Sequence, residues 1–173
     1  MEFNATYFYT AAIRNWYNVI SENGFEEIIL NSLGFLSEKK LVVVYGFVIM
    51  PNHMHLIWEM LRKNGKEKPV ASFMKYTAHL FLEKLRTKDQ QLLKPYEVDW
   101  ISRKHNFWQQ DSLPVEICSE RVFRQKLDYI HNNPLQEQWK LSETPETYPF
   151  SSAAFYSYGG KEYDFGFLKH YQE

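Results

Sequence analysis

With 173 residues, 45% of them hydrophobic and 17% aromatic, the chain has the length of one domain and ample material for a core, which excludes a disordered polypeptide. Its lone cysteine, Cys118, reads as a small core residue and excludes an internal disulfide and any multi-cysteine metal site, and its longest apolar run, Leu41–Tyr45, is far short of the ~20 residues that cross a bilayer. The net charge of −1 argues by itself against a nucleic-acid binder, yet the segment from Leu61 to Lys104 holds 11 Lys/Arg against 5 Asp/Glu, net +6, and the remainder 9 against 16, net −7.

The opening Met1-Glu2-Phe3-Asn4 lacks the basic-then-apolar pattern of a secretory signal, so a soluble, cytoplasmic protein is expected. Ala5–Ile13, rich in β-branched and aromatic residues, reads as a first strand. Phe25, Ile28, Ile29, Leu33 and Leu36 recur at helical spacing and predict an amphipathic helix over 25–38. Leu41–Ile49 reads as a buried strand and Met50-Pro51-Asn52 as a turn. His53–Met60 reads as the second strand of a hairpin. After a polar loop, Pro69 suits the first position of a helix whose stripe is Val70, Phe73, Met74, Phe81 and Leu85. Thr87–Lys104 is polar and unassigned, and Asn106–Gln110 reads as a short strand. Ser119 is the expected N-cap of a third helix that stops near Asn133, because Pro134 disfavours helical geometry in the residue before it. Beyond about residue 155 the tail looks irregular apart from one short helix. The whole is expected to be a single α+β domain over 1–173, an antiparallel sheet with helices packed on one face.

His53 and His55 flank Met54. Positions i and i+2 of a strand share a face, so both imidazoles project together while Met54 turns away. Two imidazoles are half of a metal site; alone they fit ordinary surface or hydrogen-bonded histidines better, and a third ligand is needed. The third helix offers candidates. At about 100° per residue, Phe123, Leu127 and Ile130 make its buried stripe, and Tyr129 and Asn133 stack about 40° apart beside that stripe.

Val48-Ile49-Met50-Pro51-Asn52-His53-Met54-His55-Leu56 resembles the HUH motif (His, bulky hydrophobic residue, His) of single-tyrosine transposases. Three later segments, Phe107-Trp108-Gln109-Gln110-Asp111, Leu127-Asp128-Tyr129-Ile130-His131-Asn132-Asn133-Pro134 and Tyr148-Pro149-Phe150-Ser151-Ser152, resemble motifs of the REP-associated tyrosine transposase branch. Thr6–Thr10 resembles the family's first strand more loosely, and the likeness spans residues 5–155. It implies a ferredoxin-like (RRM-like) sheet with the HUH pair on a central strand. It further implies Tyr129 as nucleophile, His53, His55 and Asn133 as ligands of Mg2+ or Mn2+, and single-stranded or hairpin DNA, including REP-like palindromes, as substrate. After Asn133-Pro134 the chain departs from the family, reading Leu135-Gln136-Glu137-Gln138-Trp139 where small or basic residues are common.

Cleavage would link the 5′-phosphate to Tyr129, free a 3′-hydroxyl and conserve the bond's energy for rejoining. Two imidazoles and an amide are softer ligands than magnesium prefers, so manganese should serve at least as well. For DNA contacts the candidates are Lys75 and Arg86, which share the polar face of the second helix with His79, together with Arg103 and Lys104. Trp108, Gln109 and Gln110 add a stacking surface and amides suited to unpaired bases. Each has a plainer alternative, a solvated helix face for the cations and a buried ring for Trp108. Two rival functions stay open: a domesticated module that binds hairpin or single-stranded nucleic acid without cutting, and a hydrolase that uses water directly. A monomer and a homodimer both fit.

Overall fold

A computed structural model of the chain describes residues 1–101, 103–110, 114–159 and 165–171; Asp111 and the side chain of Arg103 lie outside the described set. Strand β1 (Thr6–Ala12) leads through a short helix α1 (Val19–Asn23) into α2 (Glu26–Glu38). The hairpin of β2 (Val42–Ile49) and β3 (His53–Met60) follows, and then the long helix α3 (Pro69–Lys88) with Pro69 at its start. A small two-stranded ribbon, β4 (Glu97–Trp100) and β5 (Arg103–His105), precedes β6 (Val115–Glu116), α4 (Glu120–Asn132) and α5 (Ala153–Ser157).

The main sheet runs β2-β3-β1-β6, all neighbours antiparallel. With α2 and α3 as the crossovers this is the split β-α-β pattern of ferredoxin-like folds, the α+β architecture expected. Strand β3 lies inside the sheet, between β2 and β1. Alternation then sorts its residues. Met54, Leu56, Trp58 and Met60 join the larger core beneath α2 and α3 with Phe25, Phe73 and Phe81, whereas Ile57 joins a smaller core on the opposite face. Helix α4 lies across that second face and brings Phe123, Leu127 and Ile130 onto it, the three residues of its predicted stripe. The imidazoles of His53 and His55 share this face with α4.

Two local devices set how α4 sits. Its N-terminus is capped by Ser119, whose side chain accepts from the Val122 amide. Under its middle, β2 carries a bulge between Val44 and Gly46, and a methyl at Gly46 would stand 2.8 Å from Leu127 Cδ1 and 3.2 Å from Ile130 Cδ1. Glycine therefore lets helix and sheet approach. The free edge of β2 is covered by the Tyr148–Ser152 segment: the Ile49 amide donates to the Phe150 carbonyl, the Ser152 amide to the Phe47 carbonyl, and the Tyr148 hydroxyl to the Ile49 carbonyl. An edge so paired offers no template to another chain.

Two expectations change. Asn106–Gln110 is not a strand, since only Trp108 makes a bridge, to Ile13. Cys118 is exposed and not a core residue. Strand β6, only two residues long, carries too little periodicity to be seen in sequence.

Candidate active site

The hairpin turn fixes the histidines. The Met50 amide donates to the His53 carbonyl and closes a tight turn over Pro51-Asn52. That turn is pinned from outside, with the Ile13 amide donating to the Asn52 carbonyl and the Ile20 amide to that of Pro51. The two imidazoles, on one face as the pleat requires, have ring centroids 4.9 Å apart.

Each ring is held by its Nδ1. Asn52 donates through Nδ2 to the Trp16 carbonyl at 2.9 Å, which leaves its Oδ1 to accept from His53 Nδ1 at 2.8 Å. This network assigns the proton to Nδ1 and the lone pair to Nε2 of His53. His55 Nδ1 pairs with the hydroxyl of its cross-strand neighbour Thr10 at 2.8 Å. Its Nε2 is buried and has no hydrogen-bond partner. Burial lowers the pKa of His53 to about 4, and burial together with the charges of His53 and Lys126 lowers that of His55 to about 3. Both rings are therefore neutral at pH 7, the state in which imidazole binds metal.

Helix α4 supplies the rest. The Tyr129 ring meets the His55 ring edge-on at 5.3 Å and Phe8 at 6.0 Å, yet 46% of the residue is exposed. One turn later Asn133 is 2% exposed, and its Oδ1 is a second buried polar atom without a partner. One turn before Tyr129, the Lys126 ammonium lies 4.7 Å from the centroid of Phe8, whose other neighbour is the stacked His55 ring at 5.2 Å. Trp16 and Trp139 both contact His53, each at 5.8 Å.

Among the described residues no three His, Cys, Asp or Glu side chains converge to hold a metal ion. The buried carboxamide oxygen of Asn133 has no hydrogen-bond partner among the described residues.

No family model matches the sequence, and no curated protein does. Among solved structures the chain superposes on a REP-associated tyrosine transposase bound to a REP hairpin, with a TM-score of 0.61 at 18% identity. The match covers 99% of this chain and 95% of that one. The fold is that of a REP-associated tyrosine transposase. A candidate transposase of Deinococcus radiodurans R1 overlaps less closely, with a TM-score of 0.43 at 17% identity over 76% of this chain and 92% of the other. At 18% identity the likeness to the first of these is one of fold.

Within this transposase-type fold the expected DNA contacts scatter. Lys75, Trp108, Gln109 and Gln110 line one groove of about 600 Å3 beside α3, the helix on the opposite face from α4. Lys75 is exposed but pairs with Glu67 at 3.1 Å, and its helical neighbour His79 pairs with Glu83 at 3.3 Å. Arg86 and Lys104 are exposed, and the Arg103 side chain lies outside the described residues. Trp108 is corrected: only 4% exposed, it donates its indole N–H to Thr77 Oγ1 at 3.0 Å and packs on Phe81, so it is a core residue and not a stacking surface. Gln109 is tied down, its side chain donating to the Ile13 carbonyl.

Sequence reasoning missed Thr10, Asn52, Lys126, Trp16 and Trp139. Asn52 had a signal, since an amide directly before the first histidine can reach its ring. Thr10 could have been found only from the β1–β3 register, and Trp16 only from the path of the loop.

Among the described residues no helix is long and apolar enough to cross a membrane.

Proposed function

We propose that this chain is a metal-dependent transposase that cuts single-stranded DNA and rejoins it through a 5′-phosphotyrosine on Tyr129. The observation that carries this reading is the exposed Tyr129 ring standing edge-on to His55, on the helix that ends at the buried Asn133. The hairpin bound by the REP-associated transposase of the same fold supports a hairpin-bearing strand as the substrate class.

The donor set suits a divalent cation: two neutral imidazoles with Nδ1 occupied, and two buried polar atoms, His55 Nε2 and Asn133 Oδ1, that would otherwise stay unsatisfied. His53, His55 and Asn133 would hold Mg2+ or Mn2+, which supplies charge neutralisation on the scissile phosphate. The protein's own groups do the rest. Asn52 and Thr10 lock the imidazoles in one orientation. Phe8 and the second core shield the rings from water. Lys126 adds a positive charge on the Tyr129 side of His55, favouring a phosphate there. Tyr129 Oη attacks phosphorus in line, forming the Tyr–O–P bond as the P–O3′ bond breaks. The phenolic proton passes to water, and the leaving 3′ oxygen takes one up. A second 3′-hydroxyl attacking the phosphotyrosine reverses the step, with no external energy source. Because the tyrosine and the histidines meet within one chain, the arrangement supports a nucleophile acting in cis.

The test is covalent trapping. Protein is incubated with Mn2+ and a hairpin oligonucleotide bearing single-stranded flanks, then run on a denaturing gel. Wild type should give a protein–DNA adduct and Tyr129→Phe none. An adduct that persists in Tyr129→Phe refutes the nucleophile. Free 5′-phosphate ends without any adduct would make the protein a hydrolase, and binding without cleavage a non-cutting module.

A further inference from the structure

Trp16 sits where packing gives no reason for it. Its φ is +57°, and that of Asn15 before it +58°. Left-handed geometry is tolerable for asparagine but is strained for a bulky residue. The residue is 54% exposed and belongs to neither apolar core. An aromatic side chain normally offsets such strain by burial, and this one does not. The fold nonetheless holds it. The Trp16 amide donates to the Ile13 carbonyl at 3.0 Å, and the Trp16 carbonyl accepts from Asn52 Nδ2 at 2.9 Å. Through its Oδ1 the same carboxamide orients His53, so one side chain positions both the imidazole and the indole-bearing loop. The indole approaches the His53 ring at 5.8 Å, tilted by 70°. Of the chain's other tryptophans, Trp58 and Trp108 are buried in the larger core and Trp139 packs against the smaller one; Trp100, at 39%, is less exposed than Trp16 and lies in the small ribbon, not at the histidine pair.

Strain held at the rim of a reactive site, with an aromatic face left to solvent, suits a ligand with a π face of its own. We propose that Trp16 is a stacking platform for an unpaired nucleobase of the DNA strand whose phosphate lies at the His53–His55 pair. The inference rests on the single-strand reading above. The indole contacts the His53 ring at 5.8 Å, so a base stacked on its open face would lie next to a phosphate held at the histidine pair. Stacking on an indole accepts any base. The platform therefore sets the position of the strand and carries little sequence preference.

The experiment compares two probes without metal: a hairpin with an oligo-dT flank, and the same hairpin with the flanking bases replaced by abasic residues. Fluorescence anisotropy gives the Kd of each for wild type, Trp16→Ala and Trp16→Phe. Wild type should prefer the dT flank by roughly 5- to 150-fold, the range expected when a base stacks on an aromatic side chain. Trp16→Ala should lose most of that preference while binding the abasic probe like wild type, and Trp16→Phe should keep much of it. Thermal melting and the retained affinity for the abasic probe separate a lost platform from a misfolded variant. If wild type forms Tyr129 adducts but the preference survives in Trp16→Ala, the platform is wrong and the function stands. If wild type binds neither probe, the single-strand reading fails and takes the platform with it.

Discussion

Gly46→Ala would test whether the spacing between α4 and the sheet governs the chemistry. The new methyl would start 2.8 Å from Leu127 Cδ1 and 3.2 Å from Ile130 Cδ1. Carbon atoms prefer about 3.5–4.0 Å, so one or both side chains, or the helix itself, must yield by roughly 0.5–1 Å. Overpacking of this kind costs about 1–3 kcal/mol. Alanine returns about 0.4–1 kcal/mol by restricting the unfolded chain, for a net loss near 1 kcal/mol. In a chain of this length that lowers Tm by about 2–4 °C. Activity should fall further than stability. Leu127 and Ile130 flank Tyr129 on the same helix, and misplacement of a reacting group by about 1 Å costs on the order of 100-fold in rate. Single-turnover adduct formation, measured well below Tm, gives the rate. Removing the Leu127 methyl that the added carbon strikes, by Leu127→Ala, should cost less in the Gly46→Ala background than in wild type. Full adduct rates together with an unchanged Tm would refute the close-approach argument. So would additivity of the two substitutions within about 0.5 kcal/mol.

Trp108→Phe should lower stability by about 1–3 kcal/mol, through the lost indole hydrogen bond and the unfilled volume, and leave the Kd for single-stranded DNA unchanged; weaker binding at full stability would restore its role as a DNA contact. Mn2+ should raise the Tm of wild type, by the equivalent of about 2.7 kcal/mol at 100 times its Kd, and His55→Ala or Asn133→Ala should abolish the shift; an equal shift in Asn133→Ala would remove the amide from the ligand set. Burial lowers the pKa of His131 to about 4, as it does for His53 and more strongly for His55, so the native state resists protons that the unfolded chain binds below its ordinary value of 6.5. Their contribution is complete above pH 6.5 and is lost as pH falls towards 4, at about 1.4 kcal/mol per pH unit for each ring. Denaturant melts across that window should show a shallower acid slope in His131→Gln, and an unchanged slope would rule this residue out as a source of acid sensitivity.

What the sequence settled by itself was whatever depends on neighbours along the chain. Strand alternation placed His53 and His55 on one face with Met54 on the other, and helical spacing gave the stripe of Phe123, Leu127 and Ile130 with Tyr129 beside it, because backbone geometry repeats every two or 3.6 residues whatever the tertiary context. The cap at Ser119 was legible for the same reason. The α-helix ends at Asn132, near the expected place, yet Asn133 keeps helical geometry and a 3-10 turn runs on through Pro134 to Leu135, so the proline did not force the residue before it out of the helical region. Contacts between distant segments were not legible. Three tryptophans alike in chemistry met different fates, Trp108 in the core, Trp139 against His53 and Trp16 exposed at the rim, since burial depends on which remote elements arrive above each ring. The hold of Thr10 on His55 exists only through the β1–β3 register, and the nearness of α4 only through the room Gly46 leaves. Local periodicity chose which side chains face together; long-range packing decided which of them meet.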